Sequence, residues 1–299
     1  MISVVIPLYN KREMIERTLR SVFAQTFQDF EIIVVDDGST DGSAEVVKSI
    51  NDSRIHLIHQ DNSGVSAARN RGISEAHGEL IALLDGDDEW KPQYLETQFN
   101  LSLRYPECDV FAVNYETCDS NGKITPTIIN ALPFTGEDGE LTNYFEVASC
   151  SHPPICSISI MVRKGVFDQI GGFPIGVRSG EDLLTWARLA CLNRIAYSRT
   201  SLARFNVEGY DIKEKPKRIP AEDDFVGHEL AKLEKDFNPR GIRLYRAHWH
   251  KMRASIYMRL RMRRCSIKEA IKGLTFNPRN IKLYAFIALN LIPSRFQPF

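Results

Sequence analysis

The first 115 residues alternate short apolar runs with stretches of helical periodicity, and this alternation constrains the fold more than any other feature of the chain. The apolar runs predict strands at Ser3–Ile6, Glu31–Val35, Ile55–Ile58 and Leu80–Leu84. Between them, apolar residues recur at three- and four-residue spacing, which predicts helices. Because strands and helices alternate over short connections, the sequence predicts an α/β fold whose mostly parallel sheet is flanked by helices on both faces.

Three regions follow from the same pattern. Residues 1–205 carry the strand–helix alternation, with a loop-rich insertion at 116–150 and a helix at 181–191. Residues 206–240 are polar and contain three prolines, which predicts a linker. Residues 241–299 predict basic amphipathic helices. We therefore expect a domain over 1–205, a linker over 206–240 and a helical C-terminal extension over 241–299.

Carboxylates follow two of the predicted strands. Asp36 and Asp37 follow the second strand, and Asp85, Asp87 and Asp88 follow the fourth. Open α/β sheets bind ligands at the carboxyl ends of their strands. Oxygen ligands without histidine or cysteine suit Mg²⁺ or Mn²⁺, which can in turn hold a diphosphate. The alternative is a solvated acidic turn that binds nothing.

Several segments together resemble a known family. They are Val4-Val5-Ile6-Pro7-Leu8-Tyr9-Asn10, Asp36-Asp37-Gly38-Ser39-Thr40-Asp41, Asn62-Ser63-Gly64-Val65-Ser66-Ala67-Ala68-Arg69-Asn70, Leu84-Asp85-Gly86-Asp87-Asp88, Gly171-Gly172-Phe173 and Gly180-Glu181-Asp182. In this order, over residues 1–205, they closely resemble glycosyltransferase family 2. The resemblance implies the GT-A fold, a Rossmann-like sheet flanked by helices, and the transfer of a sugar from a nucleotide-sugar.

The resemblance also implies roles for individual residues. It assigns nucleotide-sugar binding to Pro7, Tyr9, Asp37, Arg69, Asp85 and Asp87. Within this set, Tyr9 is similar to the residue that packs on the nucleotide base, and Asp37 to the acid that bonds the base, which is uracil in many members. Asp87 resembles the acid that coordinates the cation, with Asp88 as a second candidate ligand.

A second group of residues is expected on the acceptor side of the sugar. Asp182 matches the catalytic base of the family, and Glu181 and Trp186 are expected near the acceptor. Ser179 and Asp182 also fit a capping box at the start of a helix, and the sequence leaves both interpretations of Asp182 open. With a base opposite the leaving diphosphate, a single displacement would invert the anomeric centre.

The implied function is that of an inverting, metal-dependent hexosyl- or N-acetylhexosaminyltransferase, with a UDP-sugar as the expected donor. The chain lacks the Gln-x-x-Arg-Trp segment of processive synthases, so we expect one sugar per encounter. The expected setting is cell-surface polysaccharide synthesis. One alternative is a GT-A module that binds a nucleotide-sugar without catalysis. Another is a nucleotidyltransferase, which would need a glycine-rich loop where Pro7-Leu8-Tyr9-Asn10 stands.

A net charge of zero hides an uneven distribution of charges. Residues 240–299 contain 14 Lys and Arg and a single acid, Glu269. Basic helices with interleaved aromatics suit an anionic membrane surface. We therefore expect peripheral membrane contact through 241–299, a glycan or lipid-linked acceptor, and no nucleic-acid partner. The alternative is that these helices pack on the first domain as a solvated surface. The six scattered cysteines and the absence of a signal-peptide pattern predict a cytoplasmic protein.

Overall fold

The computed structural model of the chain describes residues 1–207 and 219–292. It divides into two compact units. The first, which we call the sheet unit, comprises Met1–Thr142 and His152–Gly209. The second, which we call the helical unit, comprises Asn143–Ser151 and Tyr210–Phe299.

Within the described residues, all strands belong to one mixed sheet of the sheet unit. The strands are β1 (Ile2–Leu8), β2 (Phe30–Asp36), β3 (Ile55–His59), β4 (Leu80–Leu83), β5 (Glu89–Trp90), β6 (Val110–Cys118), β7 (Ile124–Pro126), β8 (Asp138–Glu140), β9 (Ile160–Arg163) and β10 (Ile195–Asn206).

The helices are distributed over both units. Those of the sheet unit are α1 (Ile15–Phe23), α2 (Ser43–Ser49), α3 (Val65–Glu75), α4 (Tyr94–Arg104), α6 (Gly165–Ile170) and α7 (Glu181–Leu192). Those of the helical unit are α5 (Tyr144–Cys150), α8 (Phe225–Phe237), α9 (Ile242–Arg259), α10 (Arg263–Phe276) and α11 (Ile281–Leu291).

The first four strands form the parallel half of the sheet. The strand order is β3-β2-β1-β4-β9-β6-β10-β5, and β1 pairs in parallel with both β2 and β4. The residues of β1 and β2 are almost wholly buried, because helices cover both faces of the sheet. This arrangement confirms the predicted α/β fold and brings the carboxyl ends of β1, β2 and β4 to one edge.

The other half of the sheet is mixed. Strand β9 runs antiparallel between β4 and β6, whereas β6 and β10 are parallel to each other. The last residues of β10 approach the segment that follows β4, since Arg204 pairs with Glu89. Residues more than 110 positions apart in sequence therefore lie side by side at this edge.

Apolar side chains of the sheet and of the flanking helices form one continuous core. On α1, Ile15, Leu19 and Val22 are buried against the sheet, as their helical spacing predicts. At the start of α4, the rings of Trp90 and Tyr94 stack with their centroids 4.0 Å apart. This core fixes the strands whose ends carry the acids.

Two regions contain more regular structure than the sequence indicated. The insertion at 116–150 contains strands β7 and β8 and helix α5 as well as loops. The segment 206–240, which we predicted to be a linker, contains the 13-residue helix α8. Asp224 caps this helix by accepting a hydrogen bond from the Gly227 N–H. An aspartate is a common N-cap residue, but the prolines of this segment led us to predict a linker. Part of that segment, 208–218, lies outside the described residues, and the boundaries at 205 and 240 stay predictions.

The helical unit is built around α9. Helix α9 packs against α5, α8, α10 and α11, and Ala254, Ala270 and Leu283 form a small apolar core between the last three helices. In residues 1–207 and 219–292, no helix combines the length and the hydropathy that crossing a bilayer requires.

Candidate active site

The segment after β4 places Asp85 at the edge of the sheet, where β1 also ends. Gly86 packs closely against β1, since a Cβ atom on it would lie only 3.3 Å from the Pro7 carbonyl oxygen. A side chain at this position would require the acidic segment and the strand to shift apart by a few tenths of an ångström. The glycine therefore lets Asp85 and Asp87 project from a segment that lies against β1.

Asp85 is held by two donors. Arg69, on α3, donates from Nη2 to Asp85 Oδ1 at 2.7 Å, and the Ser157 hydroxyl donates to Oδ2 at 2.6 Å. Burial raises the pKa of Asp85, but the charge of Arg69 and the two hydrogen bonds outweigh it and hold the pKa below its ordinary value. Asp85 is therefore an ionised carboxylate with a fixed orientation.

Arg69 is the central cation of the site. It is only 4% exposed, and its guanidinium lies over the Phe173 ring, 5.2 Å from the centroid. Burial lowers the pKa of Arg69, but the charges of Asp85 and, more weakly, Asp182 outweigh this, so the pKa is raised. One buried guanidinium thus interacts with the acid after β4 and with the acid at the start of α7.

Asp87 is paired differently from Asp85. Its side chain is partly exposed, and Lys11 Nζ forms a short ion pair with Oδ2. Arg17 donates from Nη2 to the backbone carbonyl of Asp87 at 3.2 Å. Asp87 is therefore a partly exposed carboxylate whose described ion-pair partner is a lysine side chain.

Asp88 has a different environment from the metal ligand that we predicted. It is 1% exposed, and its Oδ1 accepts the backbone N–H of Asn206, the last residue of β10, at 2.7 Å. Burial, together with the charges of Asp85 and Asp87, raises the pKa of Asp88 well above its ordinary value. This geometry favours a structural role that ties β10 to the acidic segment, and metal ligation by Asp88 stays a prediction.

Three of the predicted donor-binding residues lie at the ends of β1 and β2. Tyr9, directly after β1, is 48% exposed, so its ring is free to pack on a flat ligand, and Pro7 is partly buried within β1. Asp37 is buried and accepts hydrogen bonds from Gln60 Nε2 at 2.7 Å and from the Gly64 N–H at 2.8 Å. Asp37 thus holds the loop before α3, and its contact with a base stays a prediction.

Asp182 lies at the start of α7, near Arg69. The N-cap of α7 is Gly180, which has no side chain to cap the helix, and the Leu183 N–H of the first turn donates to Asp182 Oδ1 at 2.7 Å. Of the two interpretations that the sequence left open, the Ser179–Asp182 capping box does not form, because the N-cap is Gly180 and Asp182 is the second residue of the helix and not its third. Burial raises the pKa of Asp182, and the charge of Arg69 opposes that rise. A carboxylate with a raised pKa suits a general base.

The structure separates the two residues that we expected near the acceptor. Glu181 is partly exposed on the first turn of α7. Trp186 is 1% exposed and packs edge-on against Phe173, with centroids 5.7 Å apart. This burial favours a core role for the ring, and its contact with an acceptor stays a prediction. Its apolar neighbours on α7 gave no signal that distinguishes a core residue from a site residue.

The Gly171-Gly172-Phe173 turn contacts Arg69 through the ring of Phe173. Asn70 clamps the turn, since its Nδ2 donates to the Phe173 carbonyl at 2.8 Å and its Oδ1 accepts the Phe173 N–H at 2.8 Å. Gly172 has φ +65°, and a Cβ atom there would lie 2.7 Å from Asn70 Oδ1. The turn thus needs glycine for both its backbone conformation and its packing.

Sequence reasoning gave no role to Lys11, Arg17, Ser157 or Asn206. Lys11 directly follows the Pro7–Asn10 segment, and this adjacency is a signal that could have indicated it. Ser157 and Asn206 lie 72 and 118 residues from their partners Asp85 and Asp88, so only the tertiary fold reveals them.

The carboxylates of the segment after β4 are suitable ligands for a hard divalent cation. Asp87 offers a partly exposed carboxylate oxygen beside the ionised Asp85, and its counter-charge is an ammonium group that can move away. Mg²⁺ and Mn²⁺ commonly bind one or two protein carboxylates and complete their shell with phosphate and water. Asp87 is thus the residue best placed to hold the cation, with Asp85 oriented beside it.

Asp224, His250 and Glu269 form a second cluster, in the helical unit, with ligand atoms that lie within 4.8 Å of one another. These groups already satisfy each other. His250 Nδ1 lies 2.7 Å from Glu269 Oε2, Trp249 Nε1 donates to Asp224 Oδ1 at 2.9 Å, and Arg253 lies between the two acids. The arginine supplies the positive charge that a metal ion would bring, so this cluster is a buried ion-pair network.

The fold and the sequence of the chain are similar to those of known proteins. The crystal structure of Staphylococcus aureus TarS residues 1–349 in complex with UDP-GlcNAc matches with a TM-score of 0.69 at 20% identity, over 96% of this chain and 84% of that chain. The fold is therefore GT-A, which defines the class as a GT-A α/β protein with an acidic site at the strand ends. The family model described as Glycosyl transferase family 2 matches residues 3–171, and the chain belongs to that family.

Curated relatives agree with this assignment. An uncharacterized glycosyltransferase of Nostoc sp. is 45% identical over 214 residues, which are 70% of this chain and 65% of that protein. The putative teichuronic acid biosynthesis glycosyltransferase TuaG of Bacillus subtilis is 29% identical over 238 residues, 78% of this chain and 89% of that protein. The match covers only 29% of a larger glycosyltransferase of Rickettsia bellii. The chain is a glycosyltransferase.

Proposed function

We propose that the chain transfers one sugar from a UDP-sugar to an acceptor hydroxyl, with inversion at the anomeric carbon and with a divalent cation. The observation that carries this proposal is the Arg69 guanidinium, which bonds Asp85 directly and interacts with the charge of Asp182. This contact supports the proposal, because one guanidinium then interacts with both the acid proposed for the diphosphate site and the acid proposed as the base.

The leaving group is the first chemical requirement. A bound Mg²⁺ or Mn²⁺ supplies a positive charge that stabilises the departing diphosphate. Asp87 is the residue that would hold it, Asp85 stays ionised beside it, and Lys11 lies within reach of the same charge. TarS binds UDP-GlcNAc and UDP in the crystal structures that match this fold, which supports a uridine nucleotide donor.

The acceptor hydroxyl is the second requirement. Asp182 takes its proton as the oxygen attacks the sugar carbon, while the bond from that carbon to the diphosphate breaks on the opposite face. The raised pKa of Asp182 makes the carboxylate a stronger base than an exposed aspartate. Because the sugar is transferred in one displacement, no covalent bond to the enzyme is formed.

The acceptor class follows from the relatives and from the charge of the chain. TuaG is described as a teichuronic acid biosynthesis enzyme, and this name supports a role in cell-surface polysaccharide synthesis. We propose a glycan or a lipid-linked glycan as the acceptor. The basic region 241–299 supports peripheral contact with the anionic inner face of the cell membrane, and hence a cytoplasmic site of action.

A panel of UDP-sugars with Mn²⁺, Mg²⁺ or EDTA tests the proposal. We expect slow, metal-dependent release of UDP from one or a few donors in the absence of acceptor. With a lipid-linked glycan acceptor, we expect a single added sugar whose anomeric configuration, determined by NMR, is opposite to that of the donor. Binding of UDP-sugars without release or transfer under any of these conditions would instead support the non-catalytic binding module.

A further inference from the structure

The helical unit contains a cluster of three basic side chains on α9 and α11. His248 and Lys251 lie one turn apart on α9, and Lys282 lies on the first turn of α11. Lys251 Nζ is 3.3 Å from His248 Nδ1. Among the described residues, no carboxylate pairs with Lys251 or Lys282, whereas Arg240, Arg246 and Arg253 of the same region pair with Glu146, Glu234 and Glu269.

The Nδ1 atom of His248 lies near two groups that it cannot both satisfy. Its Nδ1 lies 3.2 Å from the Ser149 carbonyl and 3.3 Å from Lys251 Nζ, and one ring nitrogen cannot donate to the first and accept from the second. Burial and the two lysines lower the pKa of His248 to about 4, and burial and Lys282 lower the pKa of Lys251. An anion among these three groups would relieve both the repulsion and the unmet donor.

Helix α11, which carries Lys282, presents an apolar face outward. Ile281 is 80% exposed, Tyr284 is 51% exposed and Leu291 is 71% exposed. At 100° per residue these side chains, with Ala285 and Ala288, form a stripe about 120° wide, and Lys282 lies beside its edge. The opposite face is buried through Leu283 and through Asn290, which donates to the Ser266 hydroxyl at 3.0 Å.

A basic cluster at the edge of an exposed apolar helix face matches the chemistry of one surface. The interface of an anionic bilayer offers phosphates at the level of the headgroups and acyl chains beneath them. A free phosphate would satisfy the cluster but would leave the apolar stripe in water. A second copy of the chain could cover the stripe but would bring the same two lysines and no anion.

We propose that His248, Lys251 and Lys282 bind headgroup phosphates of an anionic membrane while α11 lies in the interface with its apolar stripe toward the acyl chains. This inference deepens the membrane contact proposed above, and it is independent of the donor chemistry of the sheet unit. It assigns the contact to one cluster and one helix face, where the sequence indicated only a basic region.

Co-sedimentation of the full chain with lipid vesicles tests the cluster. We expect binding to phosphatidylglycerol-containing vesicles and not to pure phosphatidylcholine vesicles. Removing one basic group near such a surface lowers partitioning about fivefold, so the double variant Lys251→Gln/Lys282→Gln should bind about 25-fold more weakly. The matched control Lys48→Gln/Lys123→Gln removes two exposed lysines of the sheet unit and should bind like the unaltered chain.

A second pair of variants tests the helix face. Ile281→Asp/Leu291→Asp should reduce binding strongly, whereas Leu103→Asp/Ile128→Asp, at two exposed apolar positions of the sheet unit, should not. For a readout independent of affinity, the Ile281→Trp chain should show a blue-shifted emission with phosphatidylglycerol vesicles. Brominated acyl chains should quench it more than they quench the native tryptophans.

Each contrary outcome identifies what fails. The assignment of the cluster is overturned if Lys251→Gln/Lys282→Gln still binds vesicles like the unaltered chain. It is also overturned if inorganic phosphate binds the cluster while the double variant still binds vesicles. Dissociation of a dimer by Ile281→Asp/Leu291→Asp in analytical ultracentrifugation assigns the stripe to a second copy instead. Equal sedimentation of the unaltered chain with both lipids removes the membrane contact altogether, while sugar transfer, measured with a soluble acceptor, stands or falls separately.

Discussion

Arg69 donates to Asp85 at 2.7 Å, and this contact joins helix α3 to the acidic segment after β4. Ser157 holds the other oxygen of the same carboxylate at 2.6 Å. Two donors from distant parts of the chain therefore fix one acid, whereas the described side-chain partner of the partly exposed Asp87 is the Lys11 ammonium group. The two aspartates of one short motif thus have different tasks, since one is locked in position and the other can exchange its partner.

The Ser157→Ala variant tests whether the orientation of Asp85 matters for donor binding. The substitution removes one hydrogen bond to a charged group, which contributes about 1.5–3 kcal/mol, and it leaves Arg69 in place. We expect UDP affinity in the presence of Mn²⁺ to fall by about tenfold or more, measured by isothermal titration calorimetry. Ser74→Ala, at an exposed serine of α3 whose hydroxyl donates to the Arg71 carbonyl, is the matched control and should change nothing. An unchanged affinity in Ser157→Ala would show that Arg69 alone positions Asp85.

Lys11 is expected to compete with the cation for Asp87. Its ammonium group pairs with the oxygen that a divalent ion would bind, so the ion must displace it. Without nucleotide, Lys11→Met should therefore bind Mn²⁺ more tightly than the unaltered chain, by severalfold, in an electron paramagnetic resonance titration. The control is Lys48→Met, at an exposed lysine of α2. Weaker Mn²⁺ binding in Lys11→Met would mean that the lysine supports the metal site and does not compete for it.

Asp182 is expected to act as the base and not as a binding residue. Asp182→Asn should keep UDP-sugar affinity within a few fold and should lower kcat by about 10²–10⁴, the usual contribution of a general base. In the unaltered enzyme, kcat should fall as the pH drops through the pKa of Asp182, which burial raises above the ordinary 3.8. Asp168→Asn, at an exposed acid of α6, provides the control. If Asp182→Asn transfers sugar at the unaltered rate, the base lies elsewhere.

The sequence predicted the parts of the fold that depend on local periodicity. Strands β1–β4 and helices α1–α4 follow from apolar spacing, and the acids fall at strand ends because turns follow buried strands. What it could not show depends on contacts between distant residues. Asp87 and Asp88 are adjacent acids of one short segment, and the approach of Asn206 in the tertiary fold distinguishes the buried acid from the partly exposed one. The burial of Trp186 likewise depends on its contact with Phe173, which is distant in sequence and could not be predicted from it.

Glu269 is expected to link the stability of the helical unit to pH. Burial raises the pKa of Glu269, but the hydrogen bond with His250 and the charge of Arg253 outweigh it and hold the pKa at about 2, below the ordinary 4.5. A carboxyl group with a lowered pKa stabilises the fold above the pKa of the unfolded chain, about 4.5. This stabilisation is lost as the pH falls toward 2, and the difference corresponds to about 3 kcal/mol.

The Glu269→Gln variant should show this linkage in urea unfolding followed by circular dichroism. At pH 7 it should be destabilised by about 3 kcal/mol, because a buried guanidinium and an imidazole lose their partner. Between pH 4.5 and 2.5 the stability of the unaltered chain should fall toward that of the variant, so the two curves should converge. The control Glu222→Gln replaces an exposed acid before α8 and should follow the unaltered chain at every pH. Parallel curves for Glu269→Gln and the unaltered chain would show that Glu269 is not ionised in the folded state, and the network would then be held by neutral hydrogen bonds.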